Sequence, residues 1–204
     1  MNKDAGSIPL RLFWYTLRMT TTTIVLIILA VIVLWTIFAY NRLVTLVNQA
    51  KEAWADIQVQ LKRRYDLIPN LVETVKGYAV HESSAFENVT KARSAAMGAT
   101  STAGKAQAEN MLTGALKTLF AVSEAYPDLK ANQNFLQLQK ELGDTEDKIQ
   151  ASRRFYNTTV MTLNTAEQSF PGNIIASSFG FNPMDLFELA ADEQAAKQPV
   201  QVRF

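Results

Sequence analysis

The residues of this chain that could do chemistry are few, and none falls into a complete motif. Two carboxylates drawn from Glu124, Asp144 and Glu146 would suit the general acid and general base of a hydrolase. Asp144, Glu146 and Asp147 also offer hard oxygen ligands for Mg²⁺ or Ca²⁺, but no glycine-turned loop presents them together. His81 is the only histidine, and the Glu82-Ser83-Ser84 that follows lacks the second histidine of a helical zinc site. Gly98, Gly104 and Lys105 fail as a phosphate loop: the glycine spacing is one residue too long, Ala106 stands where Ser or Thr is required, and a helix precedes the loop where a strand is needed. No G-x-S-x-G is present. With no cysteine there is no thiolate nucleophile, thiolate metal site, disulfide or lipidated cysteine. The expectation is a non-enzymatic protein with no cofactor and no metal, a carboxylate hydrolase being the alternative.

What is unusual is polarity inside helical seams. Glu146, Gln150, Arg153, Asn157 and Asn164 line one stripe of a long helix, beside its apolar seam, and Arg64 occupies a core position of another. If those two helices run antiparallel with matched ends, facing residues have numbers summing to about 210. That register sets Trp54 by Tyr156, Leu61 by Ile149, Ile68 by Leu142 and Val75 by Phe135. It also places Arg64 opposite Glu146, and Asp56 opposite Arg153 or Arg154, as structural ion pairs.

The elements that hold these residues are all helical. From Leu43 a seam of Val47, Ala50, Trp54, Ile57, Leu61, Ile68, Leu71, Val75 and Tyr78 predicts a first helix to about residue 77, bent at Pro69 and stopped by Gly77. Its continuation through Glu82 is the other reading. Ser84 and Glu87 read as the capping box of a second helix to about Ala96. After the small-residue turn 98–104, a third helix buries Leu112, Leu116, Leu119 and Phe120 and stops before Pro127. The loop 126–132 leads to Asn132 as cap of a fourth helix, with Phe135, Leu138, Leu142, Ile149, Tyr156, Leu163 and Phe170 as its seam. Pro171-Gly172 ends it, Asn182-Pro183 opens a short acidic helix with Leu186, Phe187 and Leu189, and residues 199–204 alternate like a strand. Val200, Val202 and Phe204 are candidate partner contacts, by packing on the bundle or by strand addition to another protein. The expected fold is all-α: a transmembrane helix followed by an antiparallel up-and-down four-helix bundle.

Between Arg18 and Arg42 lie 23 residues without a charge. Spanning a bilayer takes about 20 apolar residues of helix, and residues 19–40 supply them. Trp14 and Tyr15 before, and Trp35 and Tyr40 after, suit the two interfacial aromatic belts. The run exceeds the usual apolar core of a signal peptide, and no A-x-A cleavage site follows it. Leu10, Phe13, Trp14 and Leu17 form either an interfacial helix or the start of the span. The domain plan is therefore 1–18 interfacial, 19–40 transmembrane, 41–181 bundle and 182–204 tail. Lys3, Arg11 and Arg18 precede the span and Arg42 and Lys51 follow it, which favours a cytoplasmic N-terminus and a bundle on the outer face. A net charge of +1 makes no field for nucleic acid, and Lys62-Arg63-Arg64 is the single basic triplet.

The stretches 53–82 (AWADIQVQLKRRYDLIPNLVETVKGYAVHE) and 121–157 (AVSEAYPDLKANQNFLQLQKELGDTEDKIQASRRFYN), with Ser169-Phe170-Pro171, resemble the LemA family. The resemblance implies a bacterial inner-membrane protein, single-pass, whose soluble part is a four-helix up-and-down bundle, with kinship to the magnetosome-associated MamQ proteins. It supplies no catalytic residues. Genes of such families often neighbour a membrane-bound zinc protease, so an adaptor or regulator of a protease or envelope stress system is a further expected role. The expected partners are the lipid bilayer, a protein not named by the sequence, and a second copy of the chain.

Overall fold

The computed structural model describes the backbone of residues 10–187 and the side chains of residues 20–187. The architecture is all-α, with no strand among the described residues. Helix α1 (Leu10–Lys76) is one uninterrupted element that carries both the long apolar stretch and the first bundle helix. At 1.5 Å per residue its 67 residues measure about 100 Å. From Leu10 the chain runs into the apolar stretch as one helix, so residues 10–18 do not form a separate helix. Helices α2 (Ser83–Gly98) and α3 (Thr102–Ser123) form a hairpin, and α4 (Pro127–Lys130) is a single turn where the sequence predicts a loop. Helix α5 (Gln133–Gln168) descends, and α6 (Gly172–Phe179) turns back against it.

The α1–α5 register follows from aromatic and charged pairs. Trp54 and Tyr156 have ring centroids 5.3 Å apart, and Arg64 meets Glu146 at 3.0 Å. Both pairs sum to 210, so the helices are antiparallel. Arg93 of α2 reaches the Tyr65 carbonyl, and Tyr65 and Arg64 meet Glu109 on α3. Phe120 of α3 packs on Phe135 of α5, ring centres 6.3 Å apart. The upper part of α1 is therefore surrounded by α2, α3 and α5 over one continuous core. Below about residue 57 α1 is paired with α5, α6 and the extended segment 181–187. Packing two helices on each other leaves flanks that a third and fourth must cover, and the lower half solves this with the segment instead of a helix.

Several local expectations are corrected. The capping box at Ser84 and Glu87 does not form: α2 begins at Ser83 after Glu82, with no side-chain cap. Asn132 does cap α5, accepting from the Phe135 N–H at 3.1 Å and donating to the Tyr78 hydroxyl at 2.9 Å. Tyr78 and Phe170, placed at the ends of the seams by periodicity, are exposed, because both helices have stopped by then. The acidic helix expected to open at Asn182-Pro183 does not begin within the described residues, which end at 187. Residues 181–187 are extended, and an unexpected helix, α6, lies before them, ending at Gly180 with φ +73°. Gly172 is required at the α5–α6 turn, since a Cβ there would stand 2.5 Å from the Ala166 carbonyl oxygen. Leu189 and the strand-like Val200, Val202 and Phe204 lie outside the described residues.

Pro69 sits inside α1 without ending it. Lacking an N–H, it leaves the carbonyl of Tyr65, four residues earlier, without its helical donor. The Arg93 guanidinium of α2 supplies one, Nε to O 2.8 Å. Arg93→Met should cost about 2 kcal/mol, the range of a charge-assisted hydrogen bond to a partly buried group. In a Pro69→Ala background residue 69 regains its N–H, so the same substitution should cost less than about half as much. Thermal melts of the four proteins in detergent measure this coupling, and equal losses in both backgrounds would show that Arg93 does not serve the freed carbonyl.

Candidate functional site

The polar stripe foreseen on the fourth helix serves two separate structures. The upper one is built on Arg64, which is 3 % exposed in the middle of the α1 seam. Its Nη1 lies 3.0 Å from Glu146 of α5 and 3.4 Å from Glu109 of α3, and Nη2 donates to the Thr113 hydroxyl at 2.7 Å. The Tyr65 hydroxyl donates to the other Glu109 oxygen. Lys105 stands over the Tyr65 ring, 5.9 Å from its centre. Three helices thus converge on one guanidinium.

Glu109, 4 % exposed, is the partner that sequence reasoning missed. Its signal was present: it precedes Leu112 by three residues and Leu116 by seven, which puts it on the buried stripe of α3. Burial raises its carboxyl above the ordinary range, opposed by the Tyr65 hydrogen bond and by Arg64. Burial, reinforced by Glu109, pushes the Tyr65 phenol upward as well. A cavity of about 390 Å³ opens beside the cluster, with Arg64, Thr113, Lys117, Gln139 and Glu146 among its walls. Glu124 and Asp144 are not among its lining residues. Glu124 pairs with Lys130 on the surface, and Asp144 is exposed. The three carboxylates that suggested a hydrolase are therefore not brought into one pocket. Asp56 and Arg154 are both exposed, and no ion pair joins them among the described residues. Arg153 is buried, with its guanidinium 4.8 Å from the centre of the Phe187 ring.

The lower structure is a strap, residues 181–187, laid along α1 and α5. Asn164 holds Met184 by both backbone groups, donating to its carbonyl and accepting from its N–H, each at 3.0 Å. Asn157 holds Phe187 the same way, at 3.1 and 2.8 Å. Seven residues of α-helix rise about 10 Å, and three residues of extended chain advance about the same distance, so the two clamps share one spacing. Between them the Tyr156 hydroxyl donates to the Asp185 carbonyl at 2.8 Å. Met184 and Phe187 thereby have both backbone groups satisfied without a neighbouring strand. Phe187, fully buried, packs edge-on against Trp54 with 5.4 Å between ring centres. Gln150, one heptad before Asn157, is exposed.

This geometry defines a class: an all-α protein in which a single apolar helix, long enough to cross a membrane, runs without a joint into an antiparallel helical bundle. The sequence profile of the LemA family matches residues 53–204, and the chain belongs to that family. It is similar to the magnetosome protein MamQ of Magnetospirillum gryphiswaldense, 26% identical over 174 residues, covering 72% of this chain and 64% of that protein. It is also similar to protein LemA of Metamycoplasma hominis, 27% identical over 167 residues, covering 80% of this chain and 75% of the relative. A second magnetosome protein, MamQ 2 of Paramagnetospirillum magneticum, is 25% identical over 175 residues, covering 73% and 64%. The chain thus spans just under two thirds of the length of these MamQ relatives.

Two predictions follow from the site geometry. Arg64→Met would leave Glu109 buried without its cation and should cost on the order of 3 kcal/mol. Glu146→Gln should cost less than about 1 kcal/mol, because Glu146 is 30 % exposed and Arg64 keeps Glu109 and Thr113. Adding Glu109→Leu to Arg64→Met should recover part of the loss, and additive losses in a denaturation series would contradict the coupling. For the strap, Asn157→Leu strips Phe187 of both backbone partners and should cost about 2 kcal/mol while exposing the segment to protease. Gln150→Leu, at an exposed site, should change stability by less than about 0.5 kcal/mol. Limited proteolysis and melts of both variants check the contrast.

Proposed function

We propose that this protein is a membrane-anchored scaffold: a non-enzymatic helical bundle, held at fixed height and orientation over the bilayer, on which another protein docks. The observation that carries this reading is the continuity of α1 from Leu10 to Lys76. A helix has little bending freedom between turns, so the span and the bundle move together and the distal end stands well clear of the membrane. The buried polar groups support the same reading. Arg64, Glu109, Glu146 and Thr113 are turned on one another and fix three helices in register, which is the use of buried charge best suited to a rigid frame. The membrane is the bacterial inner (cytoplasmic) membrane in this proposal. Lys3, Arg11 and Arg18 hold the N-terminus in the cytoplasm, and the bundle faces outward. The docked partner can be a component of a membrane protease or stress system, or a second copy of the chain.

Exposed apolar residues at the far end, Val80 and Leu136 among them, give a docking protein something to bury. Photoreactive side chains introduced at positions 80, 136 and 155 in intact membranes should capture a discrete protein product from one region of the surface. Loss-of-function substitutions should then cluster on that region or in the buried seams. The hydrolase alternative makes the opposite demand: Asp144→Asn or Glu124→Gln would abolish function while helix content and melting temperature stay unchanged. That outcome would overturn the scaffold reading.

A further inference from the structure

Between Arg154 and Asp185 the chain runs for 30 residues with one charged side chain, Glu167. Glu167 is buried, neither of its carboxylate oxygens meets a donor, and burial raises its carboxyl above the ordinary range. The lower end of α5, its turn and α6 therefore carry no charge into water. This part of the protein lies level with the end of the span. Tyr40 packs on Phe179 and Phe181, with ring centres 4.9 and 5.7 Å apart. Phe170 shares the walls of an open cleft of about 560 Å³ with Trp35 and Phe38 of the apolar stretch. Arg42 is the one charged residue among the cleft's lining groups.

Exposure here has a pattern. Ile175 and Ala176 turn inward to the bundle, while Phe170 is 81 % exposed, Ile174 53 % and Phe179 57 %. Large apolar side chains displayed together beside a transmembrane helix have a waiting solvent. The polar groups of α6 are partly hidden as well, since the Ser177 and Ser178 hydroxyls both donate back to the Ile174 carbonyl. Residues 35–42 cover about 10 Å of helix axis, which matches the depth to which an amphipathic helix sinks at the headgroup boundary.

We propose that the α5–α6 turn and α6 are seated in the bilayer interface beside the end of the span, with Phe170, Ile174 and Phe179 solvated by lipid. The protein then touches the membrane in two places, one spanning and one interfacial. The cleft between them is open to the acyl chains, and Arg42 lies where lipid phosphates are. Two contacts also resist tilting of the long helix, because rotating the bundle would lift Phe170 and Ile174 out of the apolar layer.

The absence of cysteine makes the test clean. Single variants Phe170→Cys and Ile174→Cys of the full chain, nitroxide-labelled and reconstituted in phosphatidylcholine–phosphatidylglycerol vesicles, report collisions with oxygen and with a water-soluble nickel chelate. Leu34→Cys in the span and Leu136→Cys at the distal end serve as references. Labels at 170 and 174 should collide with oxygen at least threefold more than with the chelate, relative to the Leu136 label, and approach the Leu34 label. Collision ratios equal to those at Leu136 would overturn the proposal, because the turn would then stand in water. Protection from both reagents at 170 and 174 would overturn it too, showing that a second copy covers this face. The two positions are highly exposed, so the labels should leave the fold intact, and far-ultraviolet circular dichroism of each labelled protein verifies that it is.

Discussion

A guanidinium inside an apolar seam has to be met by opposite charge from within the fold, and Arg64 is met from two helices at once. Glu109 on α3 and Glu146 on α5 approach the same nitrogen, while Thr113 takes the other. Because a carboxylate cannot slide along its helix, each of these contacts fixes a register: α1 against α5 and α1 against α3. Apolar seams alone would tolerate a shift of one heptad with little loss, since Leu, Ile and Val are nearly interchangeable at such positions. The cluster removes that freedom. Its worth is specificity more than net stability, because taking Glu109 and the guanidinium out of water offsets most of their attraction.

The rest of the molecule can be understood as what that register makes possible. With α1 and α5 locked, the upper half is closed by the α2–α3 hairpin, which ties to α1 through Arg93 and the carbonyl that Pro69 leaves free. A helix-breaking residue is thus retained in a long helix because another helix brings a cation to the gap. Below the hairpin there is no third long helix, and the exposed flank of the pair is covered by the strap. Asn157 and Asn164 take the part that a neighbouring strand would take, offering one donor and one acceptor at each rung. Phe187, buried against Trp54 beneath Arg153, supplies the apolar contact.

Mechanically the consequence is a chain without a hinge between its long apolar stretch and its bundle. No flexible linker separates the two parts: the helix that carries the apolar stretch is the helix that organises the bundle. The turn at the base of α5 lies beside the end of the apolar stretch, where Tyr40 packs on Phe179 and Phe181. Such a body is suited to holding something at a set distance and angle, and less suited to reaching for a soluble substrate.

The sequence by itself determined the helical class, the long apolar helix and the α1–α5 register, because each rests on a property that local order carries: period, run length and the spacing of seam residues. Asn132 as a cap and Gly77 as a stop were legible for the same reason, being short-range rules about backbone donors and acceptors. The tertiary structure decided the rest. Ser84 and Glu87 satisfy the capping pattern, yet α2 starts two residues earlier, since the turn from α1 leaves Glu82 in the cap position. Glu109 stood in the α3 stripe, but a lone glutamate there names no partner until α3 is laid beside Arg64. The stripe of Asn157 and Asn164 read as a buried polar network between helices, and became a clamp for an extended segment only when the chain returned after α6. Leu186 and Phe187 fall in a stretch expected to be helical, but the backbone groups of Met184 and Phe187 find partners on α5 instead. Local propensity is worth tenths of a kilocalorie per residue, and four hydrogen bonds to two asparagines with a buried phenylalanine outweigh it.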